Sequence, residues 1–160
     1  MQTPSVLPTQ KSMVLEITRR KGHRHWARTC NDTTVLIDGS GYTVPAGFGF
    51  DGSSIPPVAF VSMATPFEWP WCYAGCIHDA MYEGRLLRTW PVERSVPCWF
   101  PPRPADVVYR ETLRMCCAGT WSSWRCWAAV RAYSVLWGTR HGYMGYDAFK
   151  DLHPDGVEYV

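Results

Sequence analysis

His78 and Asp79 are neighbours in the segment Ala74–Tyr82 (AGCIHDAMY), and Tyr82 follows one helical turn later. An imidazole with a carboxylate partner is a general base near neutral pH. An adjacent carboxylate can hold a cation. Asp106, in a separate segment, is a candidate to orient the imidazole. Asp51 is a third carboxylate, in a glycine-flanked loop with Gly52 and Ser54. Together they outline a small metal-assisted hydrolase. His78, Asp106 and Asp79 form its catalytic set. Asp51, Gly52, Ser54 and Tyr82 form a substrate or metal loop, with Asp51 and Asp79 as metal ligands. A divalent metal such as calcium suits these oxygens, and nothing in the sequence requires one.

The same residue types serve a second role. Asp51 and Ser54 are good turn and cap residues. His78, Asp79, Tyr82 and Asp106 can form a buried hydrogen-bond network that fixes packing. The protein is then a non-catalytic accessory or structural component. An open cleft over His78 is expected of the enzyme, and a sealed network of the structural role.

The elements that carry these residues are legible in outline. Pro70–Glu83 reads as a helix, with proline near its start and Gly84 just past its end. It is apolar almost all round, so burial is expected. A His-Asp pair on it must then find partners, because unpaired buried polar groups are costly. Ala105–Ala118 reads as a second helix, with Val108, Tyr109, Thr112, Met115 and Cys116 on its packing face. Arg110, Glu111 and Arg114 form its wet face. Asp106 falls in the expected first turn, where it favours the helix N-terminus. Ser122–Trp137 reads as a third helix. Its Trp121, Trp124, Trp127, Tyr133 and Trp137 suggest a buried core helix with a snorkelling Arg125 rather than a membrane-surface helix.

Met13–Thr18 and Thr33–Asp38 read as strands, with shorter pieces at Tyr42–Val44 and Phe48–Phe50. Residues 85–103 read as a proline-rich loop, and Pro57–Ala64 as a short helix. The expectation is an α+β fold: a small antiparallel sheet from the N-terminal third, packed against about three helices. A flexible arm (1–12) precedes a single domain (13–142), and a turn-rich tail (143–160) follows.

The 160 residues carry nine Trp, eight Tyr and six Phe, enough apolar mass for a real core, and a net charge of only +2. That balance argues against a general nucleic-acid binder. The basic stretch Arg19–Arg28 reads as a solvated hairpin tip around Lys21-Gly22. No transmembrane segment is expected, and the N-terminus lacks a secretory pattern. Seven cysteines, an odd number, read as reduced thiols in a cytosol. Cys72, Cys76 and Cys116 are either small buried apolar residues or a thiolate metal site, with disulfides as a further alternative.

Three motifs occur in order: VPAGFGFDGSSIP (Val44–Pro56), AGCIHDAMY (Ala74–Tyr82) and ADVVY (Ala105–Tyr109). They resemble the phage-associated domain of unknown function family 1353, over roughly residues 12–140. Phe50 departs from the usual Thr of that family. The resemblance implies a tailed-phage or prophage protein, in the bacterial host cytoplasm or the virion, with phage structural proteins as partners. Locally, His-Asp-x-x-Tyr and a distant Asp are similar to the helix pair of secreted calcium-dependent phospholipases. That similarity implies His78 as base, Asp79 as calcium ligand and Asp106 as orienter. The glycine-rich calcium loop and paired disulfides of those enzymes are missing here.

Overall fold

A computed structural model describes residues 3–9, 13–19, 25–50, 67–91, 96–116, 118–137 and 158–159. These residues form an α+β fold, as the sequence predicts. The strands make two sheets where one was expected. The larger contains β1 (Val6–Pro8), β4 (Thr33–Ile37), β5 (Ser40–Val44), β7 (Leu87–Trp90) and β8 (Val96–Trp99), antiparallel in that order. A short β9 (Glu158–Tyr159) runs parallel to β8. The smaller sheet contains β2 (Leu15–Arg19), β3 (His25–Thr29) and β6 (Gly49–Phe50), also antiparallel.

Local chemistry explains the strand pairing. The β4–β5 turn is Asp38-Gly39, with φ of 49° and 76°. Two successive positive φ values fit the twist of a tight hairpin, and Asp-Gly tolerates both. Alternation along β4 buries Thr33, Val35 and Ile37. Val6–Pro8, expected in a loose arm, adds an edge strand beside β4. It is tied there by Asp38 N–H to the Ser5 carbonyl (2.8 Å) and Ser5 N–H to the Asp38 carboxylate (2.7 Å).

Strands β7 and β8 arise from the stretch read as a loop. Proline hid them: Pro97 lies inside β8 and has no N–H to give. Its neighbour Cys98 donates instead, to the Leu86 carbonyl at 2.9 Å.

The three helices are α1 (Trp71–Tyr82), α2 (Pro102–Met115) and α3 (Thr120–Trp137). Gly84 ends α1 at φ 63°. Arg85 N–H bonds the Ala80 carbonyl (2.8 Å) and Gly84 N–H that of Met81 (3.4 Å). This paired closure satisfies carbonyls that the helix end would orphan. Helix α2 begins three residues before the expected start, because Pro102 and Pro104 sit in its first turn, where proline costs no hydrogen bond.

Helix α1 packs on β5, β6 and β8, and α2 lies between α1 and α3. The main core includes Val35, Val44, Phe50, Ile77, Met81, Leu86 and Phe100. A second cluster, of Ala74, Tyr109, Leu113, Cys126 and Val130, joins the three helices. No described helix is long and apolar enough to cross a membrane.

Two assignments of helix faces are corrected. Glu111, expected on the wet face of α2, is buried, while Met115 from the expected packing face is 38% exposed. Arg110 and Arg114 cover the Glu111 carboxylate, at 2.8 and 2.7 Å. On α3, Trp121 and Trp124 are exposed rather than in the core. The hairpin tip at Lys21-Gly22, the short helix expected at Pro57–Ala64 and the tail before Glu158 lie outside the described residues.

Candidate functional site: one buried carboxylate shared by three helices

Asp106 is fully buried. Because α2 starts at Pro102, Asp106 lies beyond the first turn, so its expected helix-end role is replaced by a contact across helices. Its Oδ1 is 3.0 Å from His78 Nε2 and accepts the Tyr82 hydroxyl at 2.9 Å. Its Oδ2 accepts Arg131 Nη1 at 3.1 Å. His78 and Tyr82 come from α1, and Arg131 from α3. One carboxylate therefore takes three donors from the two neighbouring helices.

Helical spacing builds this cluster. His78 and Tyr82 are one turn apart on α1, so their rings lie together, 4.5 Å between centroids. Tyr109, one turn from Asp106 on α2, brings its ring to 5.3 Å from the imidazole. The aromatic walls leave His78 only 7% exposed. Its other ring nitrogen, Nδ1, is 3.5 Å from Asp79 Oδ1, beyond good hydrogen-bond length.

The electrostatics decide the charge of the ring. Burial opposes protonation of His78, but the hydrogen bond to Asp106 and the nearby carboxylates of Asp106 and Asp79 outweigh it. The imidazole pKa rises from 6.5 to about 9. At neutral pH the ring is an imidazolium between two carboxylates. Arg131 supplies the second positive charge, so Asp106, Asp79, His78 and Arg131 balance as a group.

The structure thus brings together His78, Asp106, Asp79 and Tyr82. Asp51, Gly52 and Ser54 lie outside the described residues. Among the described residues, no group of three or more His, Cys, Asp or Glu is placed to hold a metal ion. Of the two expected metal ligands, Asp79 is described and Asp51 is not.

The cysteines follow the apolar reading. Cys72, Cys76 and Cys126 are buried, and the six described cysteines are free thiols. Burial pushes the Cys72 and Cys126 thiols up to about 11, and Cys76 well above its usual value.

The sequence reading passed over Arg131 and placed the buried Glu111 on a wet face. A cation on the apolar helix α3 was a usable signal for Arg131, since such a charge needs a carboxylate. Glu111 was hidden by its own neighbours, because an Arg-Glu pair beside a second Arg has the pattern of a solvated face.

No curated protein and no solved structure matches the chain. The family described as "Protein of unknown function (DUF1353)" matches residues 16–130. The chain therefore belongs to the DUF1353 family.

Proposed function

We propose that the protein is a non-catalytic phage accessory or virion component, in which the His78 cluster is a structural pin between three helices. One observation carries this reading: the carboxylate of Asp106 has no solvent exposure, and donors from both neighbouring helices occupy its two oxygens. A buried charge with every partner in place fixes one packing arrangement, and losing any partner is costly. The phage assignment is supported by the order of the three motifs.

A second reading, a small hydrolase with a His-Asp site, is favoured by a different observation. Asp106 fixes His78 through Nε2, so Nδ1 is the nitrogen left to take a proton, and the Asp79 side chain beside it is 17% exposed. In that reading His78 is the base, Asp106 orients it and Asp79 borders the reacting water. The raised pKa weighs against it. At pH 7 a ring that titrates near 9 is neutral in only about 1% of molecules. A general base works best with its pKa near the working pH.

Urea unfolding of wild type and Asp106→Asn, in chelator, separates the two. The swap keeps shape and removes one charge. The structural reading predicts a loss of about 1.5–3 kcal/mol, the usual worth of hydrogen bonds to charged groups. Unchanged or increased stability would favour the hydrolase, since a site kept for chemistry often costs stability.

A further inference from the structure

Helix α3 carries an outward stripe that neither reading uses. Trp121, Trp124, Arg125, Ala128, Ala132 and Val135 are all exposed, and they recur at helical spacing along one face. Trp121 is 75% exposed, Val135 68% and Trp124 46%. The stripe runs for about 21 Å. It is apolar except for Arg125, and α3 contains no acidic residue.

Beside its N-terminal end lies a groove of about 320 Å³, lined by Thr3, Arg110, Glu111, Arg114, Thr120 and Trp124 among others. Its charge is uneven. Among its described lining residues the carboxylate is Glu111, which is buried and paired with both arginines. Arg110 is also stacked on Trp124, 4.6 Å from the ring centroid. Arg114 spends only its Nε on Glu111, and its side chain is 52% exposed. About half of the Arg114 side chain is therefore left open at the groove. The described lining of the groove carries one net positive charge, from Arg110 and Arg114 against Glu111, and the stripe adds Arg125.

We propose that this face of α3 docks onto an anionic phospholipid surface. The Trp and Val side chains enter the headgroup boundary, and the groove takes a lipid phosphate against Arg114. The complementarity of charge carries the assignment. Among the described residues, the one charge on the stripe is Arg125 and the two arginines at the groove outnumber its carboxylate, and Trp and Arg are the side chains that suit an interface with one apolar and one anionic side.

The test uses the full chain in vesicle co-sedimentation. One set of vesicles contains equal parts phosphatidylglycerol and phosphatidylcholine, and the other contains phosphatidylcholine alone. The expected result is binding to the anionic set at least about tenfold tighter, weakened by added salt. Trp121→Ser with Val135→Ser touches exposed positions only, and is expected to cut binding by about tenfold while the urea midpoint stays in place. Arg125→Glu is expected to abolish the preference for anionic vesicles. The proposal is overturned if neither set binds or if both bind equally. It is also overturned if light scattering shows a dimer that the Trp121/Val135 variant dissolves while vesicles remain unbound; the stripe is then a contact between copies of this chain.

Discussion

Arg131 on α3 reaches Asp106 on α2 with a 3.1 Å hydrogen bond, and the carboxylate it meets is completely buried. The other oxygen of Asp106 holds His78 and Tyr82 of α1. The third helix is thus joined to the first two through one side chain, beside the apolar contacts of Cys126 and Val130. Arg131→Leu keeps the aliphatic stem and deletes the donor. The expected loss is about 1.5–3 kcal/mol in urea unfolding, because a buried charge is left short of a partner. A midpoint equal to wild type would show that α3 is held by packing alone.

The pH dependence follows from His78. Its folded pKa, about 9, lies above its ordinary 6.5. Its contribution is therefore fully present below pH 6.5, declines through the window between the two values and is gone above 9. The size is of the order of 3 kcal/mol. Urea midpoints of wild type and His78→Gln should differ most at about pH 6 and converge above about pH 9. A difference that grows as pH rises would reverse the assigned sign.

Tyr82→Phe isolates one neutral donor. The ring remains against His78, and only the 2.9 Å bond to Asp106 is lost. The expected cost is about 0.5–1.5 kcal/mol, smaller than for Arg131→Leu. If the order were inverted, the hydroxyl rather than the guanidinium would be the main support of the carboxylate.

Thiol labelling checks the placement of the cysteines. Cys30 is exposed, whereas Cys72, Cys76 and Cys126 are buried with raised pKa values. At pH 8, mass spectrometry should find Cys30 alkylated well ahead of those three, since the thiolate is the reacting form. Early labelling of Cys72 or Cys76 would mean that α1 is not sealed in the core.

Much of the scaffold was legible because local signals agreed with the fold. Proline and glycine bracket α1, and the all-round apolar character of α1 forecast its burial. The partnership of His78, Asp106 and Tyr82 followed from the need of buried polar groups for partners. The failures came where one residue type admits two surroundings. Pro97 argued for a loop, yet β8 forms because its neighbour donates the bond. Glu111 had the pattern of a wet face until Arg110 and Arg114 covered it. Apolar residues wrap nearly all the way round α3, which argued for a core helix, although the side that Trp121 and Trp124 occupy faces solvent. Arg131 was passed over because its partner lies on another helix, and no local spacing encodes that contact.

The most direct test is the titration of His78 itself. The chain has five histidines, and the NMR signal missing from His78→Gln identifies this one. A closed charge-balanced pin predicts an imidazole that stays protonated through neutrality and titrates near pH 9. A value at or below the ordinary 6.5 would contradict the account: the ring would be neutral at physiological pH, with Nδ1 free to take a proton, as a hydrolytic base requires.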